Sequence, residues 1–257
     1  MPLLDEIAAG VYADVKRDIA EHPIDVTAAT RRPHDLAAAL RTPGVHVIAE
    51  VKRASPSSGD IAVAADVPAT AESFVSAGAI AISILTQARH FKGSRETLIA
   101  ARQRNPDAIL LMKDFVVDPY QIDRALLDGA DVVLLIVRLL GAQRLVELYE
   151  HARSLGLKCL VEVHNEEELA IAARAGAEII GVNNRDLSDL TVSLETSRRL
   201  ASQAPPGALL VSESGIESGA DIAELGALGF CGFLVGTTLM RSPDPALALA
   251  QLLADAA

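Results

Sequence analysis

The chain has 257 residues, 50% hydrophobic and 22% charged, enough for the core of one large domain or two small ones and unlike a disordered or collagen-like chain. A formal net charge of −11 argues against a nucleic-acid backbone or an anionic membrane as the main partner. With no Trp, three Tyr and five Phe, the chain has little for base stacking or an interfacial aromatic belt, and its core must rest on Ala, Val, Ile and Leu.

In chain order, residues 3–20 and 34–40 carry helical periodicity and form an extension, residues 1–45, ahead of the first strand. Asp5, Glu6, Asp14, Lys16, Arg17 and Asp18 replace the basic head and apolar run of a leader, so secretion is not expected. From His46 onward eight short apolar runs alternate with helical segments, at 46–51, 80–85, 108–112, 131–136, 158–163, 178–183, 208–212 and 231–235. The longest strongly apolar stretch, 132–137, is far below the ~18–20 residues of a membrane helix. Gly78, Gly129, Gly176 and Gly229 are spaced by 51, 47 and 53 residues and mark every second unit, each supplying a left-handed residue between a helix and the next strand. Eight units with a two-unit repeat predict a closed α/β barrel of the (β/α)8 TIM type, one domain over 1–257, with the extension packed across one mouth. An open doubly wound sheet would usually carry a Gly-x-Gly-x-x-Gly fingerprint, which is absent. Cys159 and Cys231 form no Cys-x-x-Cys pair and read as buried thiols of a cytoplasmic protein.

In such barrels the active site forms where the strands end. Alternation places Glu50 and Lys52 on the inward phase with Ile48, Lys113 and Phe115 with Leu111, Glu162 with Leu160, and Asn183 with Gly181, while Ala49, Val51, Val161 and Val163 face the helices. The chain has 18 Arg and only five Lys, yet Lys52, Lys92 and Lys113 all lie at or just after strand ends. Because Lys, unlike Arg, can give up a proton in a low-dielectric site, this placement points to proton transfer. Ser212-Glu213-Ser214-Gly215 and Gly236-Thr237-Thr238, after the seventh and eighth strands, suit a phosphate held by backbone N–H groups. The six His show no metal-ligand spacing, so no metal is expected. His164, which closes the fifth strand on the phase of Glu162, reads as structural.

Seven ordered motifs carry a resemblance that spans nearly the whole chain. They are Ile48-Ala49-Glu50-Val51-Lys52-Arg53-Ala54-Ser55-Pro56-Ser57, Leu85-Thr86 with Phe91-Lys92-Gly93-Ser94, and Met112-Lys113-Asp114-Phe115 with Asp118-Pro119-Tyr120-Gln121-Ile122. Then follow Leu160-Val161-Glu162-Val163-His164, Gly181-Val182-Asn183-Asn184-Arg185-Asp186-Leu187, Val211-Ser212-Glu213-Ser214-Gly215-Ile216 and Leu234-Val235-Gly236-Thr237-Thr238-Leu239-Met240. The sequence resembles the indole-3-glycerol phosphate synthases of tryptophan biosynthesis. That resemblance implies a cofactor-free and metal-free ring closure of 1-(2-carboxyphenylamino)-1-deoxyribulose 5-phosphate with loss of carbon dioxide and water. It implies catalytic roles for Glu50, Lys52, Lys113, Glu162 and Asn183. Ser55, Phe91, Phe115, Arg185, Leu187, Glu213 and Ser214 would bind substrate, and Lys52, Ser55, Ser214, Gly215, Gly236 and Thr237 its phosphate.

The expected partner is this small phosphosugar carrying an anthranilate ring, with no nucleic acid or membrane, and the expected state a monomer or weak homo-oligomer. Two departures stand out. Ser58 replaces a Lys of many relatives, and Arg138 replaces a small residue after the fourth strand, where it either faces the mouth or points to solvent. The alternatives on the same barrel are a phosphosugar isomerase, a Schiff-base aldolase with Lys113 as the amine, and a non-catalytic phosphosugar-binding protein.

Overall fold

The computed structural model describes residues 2–55 and 59–256, without the side chains of residues 2–5, 28 and 55. Eight parallel strands form the barrel: β1 Val47–Val51, β2 Ala81–Leu85, β3 Leu110–Lys113, β4 Val132–Ile136, β5 Lys158–Val163, β6 Ile179–Asn183, β7 Leu209–Glu213 and β8 Phe230–Val235. Each pairs with the next in sequence, and β8 closes the ring on β1 through Val47–Phe233, Ile48–Leu234 and Ala49–Val235. After β1 the chain makes a small antiparallel ribbon, Ala54–Ser55 with Gly59–Asp60.

The extension contains helices α1 Pro2–Glu21 and α2 Leu36–Leu40. Around the barrel run α3 Val67–Ser76, α4 Ala88–Phe91, α5 Arg95–Arg104, α6 Pro119–Asp128, α7 Val137–Ser154 and α8 Glu166–Arg174. They continue with α9 Glu195–Ala201, α10 Gly219–Ala227, α11 Thr237–Met240 and α12 Pro245–Asp255. Side-chain caps start several of them. Asp66, Ser94, Asp118, Asn165, Ser218 and Asp244 each accept a hydrogen bond from a first-turn N–H, a contact that typically contributes ~1 kcal/mol. The four repeat glycines all have positive φ (101°, 98°, 71° and 102°), as the sequence required.

Two apolar layers follow from strand alternation. Val47, Ala49, Val51, Ile82, Ile84, Val161 and Val163 pack outward against the helices. Ile48, Leu111, Val132, Leu134, Leu160, Ile179 and Val211 fill the barrel from within. The extension corrects the expectation of one covered mouth, because it reaches both ends. Leu36, Ala37 and Leu40 of α2 are buried in the inner cluster and plug the base, burial of each Leu being worth ~1.5–3 kcal/mol. Ile7, Val11 and Val15 of α1 instead pack on Val117, with Phe115, Tyr120, Leu139 and Leu140 around them, on the side where the strands end.

One buried acid ties the extension to the base. Asp131 Oδ1 accepts from Arg31 Nη1 at 2.6 Å and from the His34 backbone N–H at 2.7 Å. Its Oδ2 accepts from the Leu110 N–H at 2.7 Å and from Arg102.

Candidate active site

At the carboxyl ends of the strands lies a cavity of about 620 Å³. Its floor is charged because the inward phase of β1, β3, β5 and β7 ends in Glu50, Lys113, Glu162 and Glu213. Lys113 Nζ stands 3.1 Å from Glu162 and 3.1 Å from Glu213, and Lys52 Nζ 2.6 Å from Glu50. All three carboxylates are at most 2% exposed, so these pairs act in a medium that screens them far less than water. Strand register brings the groups level. Leu85 pairs with Lys113, Glu162 with Gly181, and Asn183 with Glu213.

The charges bias one another. Burial opposes ionisation of Lys113, but Glu162, Glu213 and Glu50 outweigh it and hold the ammonium firmly protonated. Burial likewise opposes ionisation of Glu162, and the Lys113 charge with contacts from His164 and Asn183 overrides it, keeping this carboxyl well below the usual range. Glu213 goes the other way. Burial raises it, Lys113 pulls it down, the charges of Glu162 and Glu50 push it up again, and it is raised to about 7. Lys113 therefore does not reach the readily deprotonated state that a low dielectric alone suggested, because three carboxylates surround it; it rests as an acid. Two carboxylates at equal distance from one ammonium thus hold different protonation preferences.

Glycine is needed where Glu213 crosses β6. A Cβ at position 181 would collide with Glu213 Oε1. Gly181→Ala is expected to displace that carboxylate from Lys113 and lower kcat by about 10²-fold while the barrel stays folded, since misplacement by ~1 Å has effects of that size. Steady-state kinetics with a circular dichroism control measure it; an unchanged kcat would mean that the Glu213 position is immaterial.

The cavity walls are largely apolar. Phe91 and Phe115 face each other with ring centroids 6.2 Å apart and planes tilted by 46°, and Leu187, Leu134, Ile136 and Ile7 continue the surface. Arg185 lines the rim, its guanidinium donating to the Leu190 carbonyl at 3.0 Å, and its backbone N–H is held by Asn183 Oδ1. Ser214, Gly215, Gly236 and Thr237 also line the cavity. Ser214 and Gly215 both have positive φ (66° and 81°), strain that is costly for serine and is held in place by Asn184, whose Nδ2 donates to the carbonyls of Glu213 and Ser214. Thr238 Oγ1 donates to the Ile216 carbonyl at 2.7 Å and joins the two glycine turns.

Every residue to which the resemblance gives a catalytic, substrate-binding or phosphate-binding role, and whose side chain is described, lines this one cavity. Ser55's side chain lies outside the described residues, as do Pro56, Ser57 and Ser58. Lys92 does not join the site. It ends α4 with φ 53°, is half exposed, and pairs with Asp60 at 2.6 Å. Arg138 neither faces the cavity nor points freely to solvent, because the start of α7 lies beside α8 and its guanidinium pairs with Glu168 at 2.7 Å. Of the two thiols, Cys159 is buried and Cys231 only half-buried.

Ile7, Asp114 and Asn184 were not singled out in the sequence. Ile7 comes from α1, whose docking no local pattern reveals. Asp114 accepts from Thr86 and from the Phe115 N–H and so fixes the turn that presents Phe115. The Asn183-Asn184-Arg185 run was a signal for Asn184, since a polar residue on the outward phase of a buried strand end needs partners.

Comparisons with known proteins agree with this geometry. A family model described as indole-3-glycerol phosphate synthase matches residues 4–252. The indole-3-glycerol phosphate synthase of Mycolicibacterium gilvum is 45% identical over 254 residues, covering 97% of this chain and 93% of its own length. That of Mycobacterium tuberculosis is 43% identical with the same coverage. Among solved structures, 3-hexulose-6-phosphate synthase from Salmonella typhimurium superposes with a TM-score of 0.66 at 14% identity, over 83% of this chain and 100% of that one. Thiamine phosphate pyrophosphorylase from Pyrococcus furiosus gives 0.61 at 23% identity, over 85% and 96%. These two likenesses speak for the barrel alone, whereas the full-length matches, together with a floor of two lysines and three buried glutamates, mean that the chain belongs to the indole-3-glycerol phosphate synthase family.

Proposed function

We propose the following division of labour for the indole-3-glycerol phosphate synthase reaction in this mouth. Lys113 donates a proton to the ribulose carbonyl oxygen as the anthranilate ring carbon bearing the carboxylate attacks the carbonyl carbon. Glu162 stabilises the cationic intermediate and takes up the proton released later, and loss of carbon dioxide restores the ring. Glu50 and Lys52, a 2.6 Å acid/base pair, serve the dehydration. Asn183, Arg185 and Glu213 orient the sugar hydroxyls. Phe91, Phe115 and Leu187 hold the aryl ring in a near-attack position, where pre-orientation can supply much of the rate. Lys52, Ser55, Ser214, Gly215, Gly236 and Thr237 take the phosphate.

The observation that carries this reading is the Lys113 ammonium, 3.1 Å from both Glu162 and Glu213 beneath an aromatic slot. It also disfavours the aldolase alternative, since a Schiff base needs a neutral amine and three carboxylates favour the charged one. The 257 residues act as one barrel unit with its extension, and the acidic chain with two free thiols fits a cytoplasmic enzyme acting as a monomer or weak homo-oligomer. Among the described residues no helix is long and apolar enough to cross a membrane.

The test is turnover. Given 1-(2-carboxyphenylamino)-1-deoxyribulose 5-phosphate and EDTA, with no added cofactor, the purified protein is expected to develop the absorbance and fluorescence of an indole at an unreduced rate. Absence of product under those conditions, with the folded state verified, would overturn the reading.

A further inference from the structure

Behind the catalytic floor lies a second layer of charge that the reaction scheme does not use. His164 follows the last residue of β5 and is 7% exposed. Its Nδ1 sits 2.9 Å from Glu168 Oε2, which also accepts the His164 backbone N–H at 2.8 Å. Glu168 is fixed in turn. Its Oε1 accepts from Arg138 Nε at 2.7 Å and Asn165 Nδ2 at 2.9 Å, and its backbone N–H is capped by Asn165 Oδ1. The other ring nitrogen, Nε2, points back into the barrel and stands 3.3 Å from Glu162 Oε1. That approach is an ion-pair distance without hydrogen-bond alignment, and no other acceptor among the described residues engages this nitrogen.

We propose that His164 is a positioning residue for Glu162, a buried cation that fixes the carboxylate beneath the substrate and keeps it ionised, with Glu168 and Arg138 bracing the ring from behind. The inference rests on the reading of Glu162 as the proton-accepting carboxylate. Alternating charges run Lys113, Glu162, His164, Glu168, Arg138, from β3 through β5 to the starts of α8 and α7. Burial favours neutral imidazole, but Glu162 and Glu168 outweigh it and push His164 up to about 9, so the ring is charged at neutral pH. The other charged groups in reach are Asp186 from the turn after β6, which senses Arg138 and His164, and Glu213 and Glu50, which act on Lys113. Such an arrangement suits a base that must not wander. One oxygen of Glu162 is held by Lys113 and the other by His164, so the carboxylate plane is set from two sides.

The experiment compares His164→Leu and His164→Gln with the wild type over a range of pH. Both variants are expected to lower kcat, by about 10- to 100-fold for Leu, with KM changed less than about threefold. Removal of a cation beside Glu162 raises its proton affinity, so the carboxyl band of Glu162, identified in infrared difference spectra as the one absent from Glu162→Gln, should titrate at higher pH in both variants. Glu213 titrates in every protein of the set, so the subtraction isolates Glu162. A purely structural histidine would lower Tm and leave the titration of that band in place, and that result overturns the proposal. Adding His164→Leu to Glu162→Gln should cost little beyond Glu162→Gln alone; losses that multiply would mean independent action and also overturn it. Glu162→Gln by itself separates the two readings. If it is nearly inactive while both His164 variants match the wild type, only the positioning role fails; if it keeps full kcat, the role of Glu162 fails and this inference with it.

Discussion

Lys113→Ala is expected to reduce kcat by at least ~10²-fold with little change in KM, the scale usual for one general acid. Lys113 is held charged by three buried carboxylates, so in the resting enzyme its proton is ready but strongly retained. Transfer becomes favourable only as negative charge grows on the substrate oxygen, which is a gain made in the transition state and hence in kcat. Two further effects point the same way. Without the ammonium, Glu162 and Glu213 are two buried carboxylates with no cation between them, and both are pushed toward the neutral form, which removes the proton acceptor together with the donor. Lys113→Arg should not restore the rate, because a guanidinium scarcely releases a proton and its fork does not fit a site made for a point charge. Single-turnover kinetics with Kd measured separately decide the matter. A large loss of affinity with kcat intact would make Lys113 a binding residue.

Asp131→Ala should destabilise the protein by ~3–5 kcal/mol, the cost of removing one partner from a buried ion pair. The side chain is fully buried, and four donors converge on it: Arg31, Arg102 and the backbone N–H groups of His34 and Leu110. Alanine would leave two cations facing each other near the base, and two N–H groups without an acceptor. Arg31 is 28% exposed and can turn partly to water, but Arg102 at 11% cannot easily do so. Asp131→Asn, which keeps the size and one acceptor, should fall between the wild type and alanine. Urea unfolding followed by circular dichroism gives the values; a loss below ~1 kcal/mol for alanine would show that the extension is held by its apolar contacts alone.

Much of the barrel was legible because strand alternation is a strict two-residue period. Ile48 inward placed Glu50 and Lys52 at the mouth, and Leu111 and Leu160 did the same for Lys113 and Glu162. Gly78, Gly129, Gly176 and Gly229 were legible for a backbone reason, since each adopts a φ that other residues resist. The rest depends on docking between distant segments. Ile7 reaches the cavity because α1 lies on Val117, over a hundred residues away in sequence, and nothing within α1 encodes that neighbour. Lys92 followed the same rule of thumb as Lys52, yet the turn after α4 carries it to Asp60 at the surface. His164 carried a local signal, a His–Glu pair four residues apart around a helix-capping Asn165. Its reach to Glu162 needed the barrel's curvature to become visible.

The base plug has a consequence for barrel closure. Leu36, Ala37 and Leu40 share their cluster with Ile48, Val132, Leu160, Ile179 and Val211, which come from strands spread over most of the chain. A helix that precedes the first strand thus has its complete seat only with the sixth and seventh present, and Arg31 and His34 share their acceptor only with Asp131 in place. Although α2 lies ahead of every strand in the sequence, its full set of contacts belongs to the closed ring alone, so protection of its amides from hydrogen exchange reports closure of the vessel.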